Sequence, residues 1–185
     1  GGGFDARSGG PLTWGQRVPD GTPAWGEGFK EYLESYTYWM NCSGHGTSLA
    51  QETNRVDLDP ELKDAWGIPA IRVTYKDHPD DVKHAKWQVE RAVEIMDAAG
   101  ASQIVPGEVG AASGGVHLLG TCRMGNDAGT SVIDKYHRTH DVKNLFLCDG
   151  SSMVTSGRGQ PTQTIEALAF RAADHIARFA RANEI

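Results

Sequence analysis

"NLFLCDGSSMVTSGRGQPTQTIEALAFRAADHI", residues 144–176, passes through three kinds of chain in succession. It starts with a continuous apolar run, 144–150, closed by Asp149 and Gly150, the pattern of a strand buried on both faces. Small residues and glycines follow, as in a loop. From Pro161 or Thr162 onward, Ile165, Leu168, Ala169, Ala172, Ile176 and Phe179 recur at helical spacing, so a helix with one apolar face is expected there. A strand, a glycine-rich loop and a helix N-terminus in close succession commonly surround a cofactor, because the unpaired N–H groups of the first helical turn attract negative charge.

Just upstream, "GGVHLLGTCRMGND" (114–127) places His117 after two glycines. Backbone without side chains can approach something flat or bulky closely, so the glycines raise the question of what His117 faces, although one histidine among seven is more often a surface or satisfied core residue. Residues 106–115, small and glycine-rich, are expected to form a connecting loop.

Further toward the N-terminus, Val82, Ala85, Val89, Ala92, Val93, Met96 and Ala99 give the periodicity of an amphipathic helix over 81–99. Asp80 and Asp81 suit its positive end and Gly100 its C-terminal cap. Apolar alternation at Val56 and Leu58, then at Ile71, Val73 and Tyr75, predicts two antiparallel strands with one face buried. "EYLESYTYWMNCSGHGTS" (31–48) reads as a short helical or strand-like run ending in a Gly/Ser turn, and residues 1–28 as an irregular covering segment.

Composition narrows the function. A formal charge of -6 over 185 residues, with no Lys/Arg block, argues against nucleic acid. No apolar run approaches the roughly 20 residues of a bilayer span, so a soluble chain is expected. Three cysteines at unrelated spacings form no disulfide framework and favour a reducing, cytoplasmic compartment over the periplasm. Cys42 with His45, and His137 with His140, have ligand-like spacing, but neither pair is matched by a second, so no metal is expected. No G-x-S-x-G elbow is present, which argues against a serine hydrolase.

The blocks "HLLGTCRMG", "SVID", "NLFLCDGSSM", "TSGRGQPTQTI" and "ALAFRAADHI" occur in one order. Together they resemble the C-terminal part of the glucose-methanol-choline family of flavin oxidoreductases, and "NRVDLDPELKDAWGIPAIRVTY" (54–75) is similar to that family's substrate domain. The resemblance implies an α+β fold: an antiparallel sheet with helices on one face, then a strand and helix completing a Rossmann-like FAD domain. It implies that residues 1–50 cover and begin the substrate domain, 51–113 form its body, and 114–185 supply the active-site loop and the end of the FAD domain.

The resemblance also assigns roles. His117, before Gly-Thr, corresponds to the histidine that handles the alcohol proton beside the flavin, with Gly115 and Val116 approaching the cofactor. Asp149 and Gly150 would lie near its pyrophosphate and ribityl chain. Independently of the family, reduced flavin gains negative charge at its pyrimidine edge, which a helix N-terminus can stabilise, and Pro161 and Thr162 at the start of the last helix are the candidates. The second member of the catalytic pair, usually His or Asn, falls on Gln160. Glutamine keeps a donor and an acceptor but cannot exchange a proton near neutral pH, which leaves His117 as the only general base. Histidine, with an unperturbed pKa near roughly 6.5, suits removal of the hydroxyl proton as hydride leaves.

The expected activity is therefore FAD-dependent oxidation of an alcohol, on a sugar or polyol. The alternative is a non-catalytic assembly subunit, favoured by Gln160 and opposed by His117. Plainer readings stand beside these roles: Asp149 as a turn former, Gln160 as a residue leading into a helix, Arg123 as a loop-holding side chain. No G-x-G-x-x-G dinucleotide turn occurs, and the chain opens "GGGFDARSGG" without methionine. The FAD-binding half is accordingly expected from the rest of a longer polypeptide or from a partner chain.

Overall fold

The structure, a computed structural model, describes residues 2–16, 18–110, 117–155, 157 and 159–184. It is α+β, with two small antiparallel sheets and helices. The chain divides into two compact units, one of residues 2–45 and 83–109, the other of 46–82 and 110–185.

In the first unit, β1 (Gly2–Ser8) pairs with β2 (Met40–Gly46). Both lie where the sequence suggested irregular chain or a turn. The reason is close approach: a Cβ on Gly2 would stand 2.7 Å from the His45 carbonyl oxygen, and one on Gly44 2.7 Å from Cδ of Gln88. Glycine here admits a neighbour rather than breaking a strand. Buried Gln88 completes the contact by donating to the His45 carbonyl at 2.9 Å. Between the strands, α1 (Pro11–Gly15) and α2 (Gly26–Glu34) bury Trp14 and Tyr32. Trp39 packs on both, with ring centroids 5.8 Å from each.

The long helix α3 (Pro79–Ala98) appears where periodicity places it, with Asp80 and Asp81 in its first turn. Gly100, at φ +82°, ends it, while Ala101 N–H donates back to the Met96 carbonyl.

The second unit contains the hairpin β3 (Arg55–Lys63) and β4 (Pro69–Thr74), with Val56 opposite Val73 and Leu58 opposite Ile71. The strands agree with the alternation. Their apolar face is not buried as expected: Val56, Leu58, Ile71 and Val73 are all more than half exposed. Alternation reports which side chains share a face, whereas burial needs something packed on it. On the polar face Arg72 grips Asp57 through Nε and Nη2, both at 2.8 Å. Asp59 accepts from the N–H groups of Glu61 and Leu62, bridging the irregularity that admits Pro60.

From His117 to Met153 the chain has almost no regular structure, yet it holds the largest fully buried side chains among the described residues, Ile133, His137 and Ser152. The expected strand at 144–150 is reduced to one antiparallel bridge, Arg138 to Phe146. Leu145 and Cys148 are exposed. A strand buried on both faces needs a neighbour along its length, and here the described neighbour is only the turn 134–139. Cross-links do the work of a sheet instead: Gly125 N–H to Ile133, Thr139 N–H to Leu145 and Leu147 N–H to His137, each at 2.9 Å.

The last helix, α4 (Thr162–Arg181), starts where the sequence predicts. His175 stacks on Tyr136 with centroids 3.7 Å apart, Phe179 meets His175 edge-on at 4.1 Å, and Arg171 donates to the Lys135 carbonyl. Aromatic stacking thus fastens α4 to the turn at 134–138.

Candidate active site

Gly150 is the junction of the proposed site. A Cβ there would lie 2.7 Å from Cδ2 of Leu119 and 3.1 Å from Cδ1 of Ile165. The loop following His117, the Asp149–Gly150 turn and the first turns of α4 therefore meet at Gly150, where a larger residue would have to displace the ends of the Leu119 and Ile165 side chains. Backbone bonds hold the first two together: Cys122 N–H donates to Ser151 at 3.0 Å and Met124 N–H to Ser152 at 2.9 Å. Gly120 turns the loop at φ +88°, a conformation suited to glycine.

Asp149 caps the short 3-10 turn Gly150–Ser152. Its Oδ1 accepts from Ser151 N–H at 2.8 Å and from the Ser151 hydroxyl at 2.5 Å. Chiefly the hydroxyl, then the N–H, hold its carboxyl below the ordinary carboxylate range, with a smaller contribution from His137. Partial burial, and then the Asp149 charge, push the neighbouring Cys148 thiol up, which disfavours a reactive thiolate. The plain turn-forming role of Asp149 is real, and Oδ2 has no hydrogen bond among the described residues.

At the other side of the junction, Pro161 is buried and Thr162 opens α4 with no side-chain cap. Proline has no N–H, so the free donors of the helix start begin at Thr162, while Ile165 N–H already bonds the Pro161 carbonyl at 3.0 Å. Gln160 is exposed, and Gly157 and Gly159 precede it with φ of +62° and +97°. His117 is half-buried. Gly115 and Val116 lie outside the described residues.

His137, absent from the expected site, is buried, takes φ +67°, and brings Nδ1 to 2.6 Å from the Leu147 carbonyl. It lies three residues from His140, but the two side chains have different partners. His140 turns away: its Nε2 is 2.9 Å from the Ser131 hydroxyl, which itself donates to the Asp127 carbonyl, so His140 is the donor. Among the described residues no group of three or more His, Cys, Asp or Glu could hold a metal ion. No helix among them is long and apolar enough to cross a membrane.

Residues 50–169 match the family model for GMC oxidoreductase. The 2-methyl-1,2-propanediol dehydrogenase of Mycolicibacterium austroafricanum is 43% identical over 83% of this chain and 28% of its own length. Paromamine 6'-oxidase of Streptomyces fradiae is 38% identical over 67% of the chain and 23% of its own length. The gluconate 2-dehydrogenase flavoprotein of Pantoea cypripedii is 30% identical over 88% and 28%. The chain thus spans less than a third of the length of each of these relatives. It belongs to the GMC oxidoreductases, a generally flavin-dependent family.

Proposed function

We propose that the chain is the substrate-facing and C-terminal portion of an FAD-dependent oxidoreductase that oxidises an alcohol group on a sugar or polyol. The observation that carries this is the junction at Gly150, where a Cβ would stand 2.7 Å from Leu119 and 3.1 Å from Ile165. That closeness gathers the elements bearing His117, Asp149 and Thr162. The relatives' names add a diol and a gluconate among substrates of similar chains.

The residues present fit one edge of a flavin nucleotide: an exposed carboxylate with one oxygen uncommitted, an uncapped helix start and close backbone. Asp149 would hold the ribityl and pyrophosphate region by hydrogen bonding, with Gly115 and Val116 approaching the cofactor, while Gly150 admits Leu119 and Ile165 beside the turn. Pro161 would set the helix start, and the Thr162 N–H would face the pyrimidine edge. Bound there, the flavin would accept the hydride. His117 takes the hydroxyl proton, and Gln160 orients the substrate oxygen without exchanging a proton. Residues 51–113 are assigned to the substrate domain and 114–185 to the active-site loop and FAD domain, after the covering segment 1–50. The remainder of a longer polypeptide, or a partner chain, would supply the dinucleotide turn and cover the face of β3–β4 that the described residues leave open, an apolar area of the kind that meets another surface.

The test is anaerobic absorbance of the full-length flavoprotein. Bleaching of the oxidised flavin by gluconate, a vicinal diol or a hexose supports oxidation. A spectrum that persists with all three favours the assembly role, for which the substitution at Gln160 speaks.

A further inference from the structure

His137 occupies the left-handed position of a tight turn. Its N–H donates to the Asp134 carbonyl at 3.0 Å, and Asp134 N–H donates to Arg138 at 2.8 Å. Oδ1 of Asp134 accepts from the N–H groups of Tyr136 and Arg138. Glycine takes φ +67° most readily; among other residues asparagine, aspartate and histidine adopt it most often, and here the histidine is also buried.

The side chain explains the choice. In an antiparallel ladder, hydrogen-bonded pairs, which exchange both main-chain bonds, alternate with pairs that exchange none; Arg138–Phe146 is of the second kind, so His137–Leu147 beside it falls on a bonded position. His137 and Leu147 exchange one, Leu147 N–H to the His137 carbonyl at 2.9 Å. The other cannot form, because the His137 N–H is committed to Asp134. The imidazole replaces it: a carbonyl only accepts, so Nδ1 carries the hydrogen and donates to Leu147 at 2.6 Å. Nε2 is buried with no partner among the described residues, so the ring is held through Nδ1 alone.

We propose that His137 is a positioning residue for the cofactor-side turn, its Nδ1–H completing the rung that fixes Leu147 and, through it, Asp149 and Gly150. The part of this concerning cofactor rests on the function proposed above; the rung does not. Asparagine can place an amide N–H near the same point and tolerates left-handed backbone, whereas glycine relaxes the backbone but has no donor.

The experiment compares full-length flavoprotein carrying His137→Gly, His137→Asn and Asp149→Ala. FAD release on dilution is followed by flavin fluorescence, and amide exchange is followed over 145–153. His137→Gly should release FAD with a dissociation constant raised about tenfold and speed exchange by a similar factor, the worth of one hydrogen bond. His137→Asn should restore both to near the parent. Parent-like exchange in His137→Gly overturns the proposal, as does accelerated exchange that His137→Asn fails to restore. Unchanged FAD release in Asp149→Ala would instead contradict the cofactor reading, leaving exchange as the test of the rung.

Discussion

Ile71 and Ile133 are the same residue in opposite settings. Ile71 lies in the regular β3–β4 hairpin and is 74% exposed, while Ile133 lies in the irregular stretch before α4 and is 0% exposed. The hairpin is held by a cross-strand ladder and the Arg72–Asp57 pair, with its apolar face open. The stretch from His117 to Met153 has only isolated bridges, but cross-links and α4 close around its side chains. Regular secondary structure and burial are therefore separate properties of this chain, and the exposed Asp149 of the candidate site is carried on a stretch held by buried neighbours such as Ser152 and His137.

The contrast predicts a graded series of effects. Ile133→Ala, which leaves a cavity where no exposure exists, should lower the unfolding free energy of the 185-residue chain by about 2–5 kcal/mol in urea titration. A loss under half the lower figure would show that the stretch is loosely packed. Gly150→Ala should cost about 1 kcal/mol, at the low end of overpacking penalties because Leu119 is flexible. In the flavin-loaded assembly proposed above, its larger consequence should be displacement of the His117 loop, read as slower flavin reduction.

Acid acts on the hairpin. Hydrogen bonding to Arg72 holds the Asp57 carboxyl far below the usual carboxylate range. Its folded-state pKa is depressed, so its stabilisation is present above the unfolded value of about 3.9 and fades as pH falls through the folded value. The gap in urea midpoint between parent and Arg72→Ala should therefore narrow as the solution is acidified below about pH 4. A gap that widens would reverse the sign. The effect is small, because water screens an exposed pair.

Smallest of all is Ile71→Ala, which should change the stability of the 185-residue chain by no more than about 0.5 kcal/mol. In the full-length polypeptide the same substitution should approach the cost at Ile133 if the remainder covers the hairpin as proposed. Equal, negligible effects in both would leave that face uncovered.

The elements legible in the sequence are those with long repeats. Seven apolar positions announced α3, and the run from Ile165 to Phe179 announced α4. Alternation at Val56, Leu58, Ile71 and Val73 found the hairpin and its shared face, but not what lies on it. β1 and β2 were hidden by glycines whose purpose, admitting Gln88 and His45, depends on distant chain. The apolar run 144–150 promised a strand because hydrophobicity cannot say whether a neighbour runs alongside. At the site, Asp149, Gly150 and the helix start were visible as a succession of motifs. His137 was not, because nothing local tells that a main-chain donor is diverted and a side chain must replace it. Its only signal is Asp134, a turn-forming residue three positions earlier.

The most direct test of the account is the single-turnover rate of anaerobic flavin reduction in the full-length enzyme, compared between parent and His117→Ala across pH. His117 is assigned the proton of the alcohol, and a positioned general base is typically worth roughly 10²- to 10⁴-fold. His117→Ala should retain FAD, reduce it more slowly by about that factor, and lose the pH dependence that histidine confers. Reduction as fast as the parent, with the same pH profile, would contradict His117 as the base and with it the proposed mechanism.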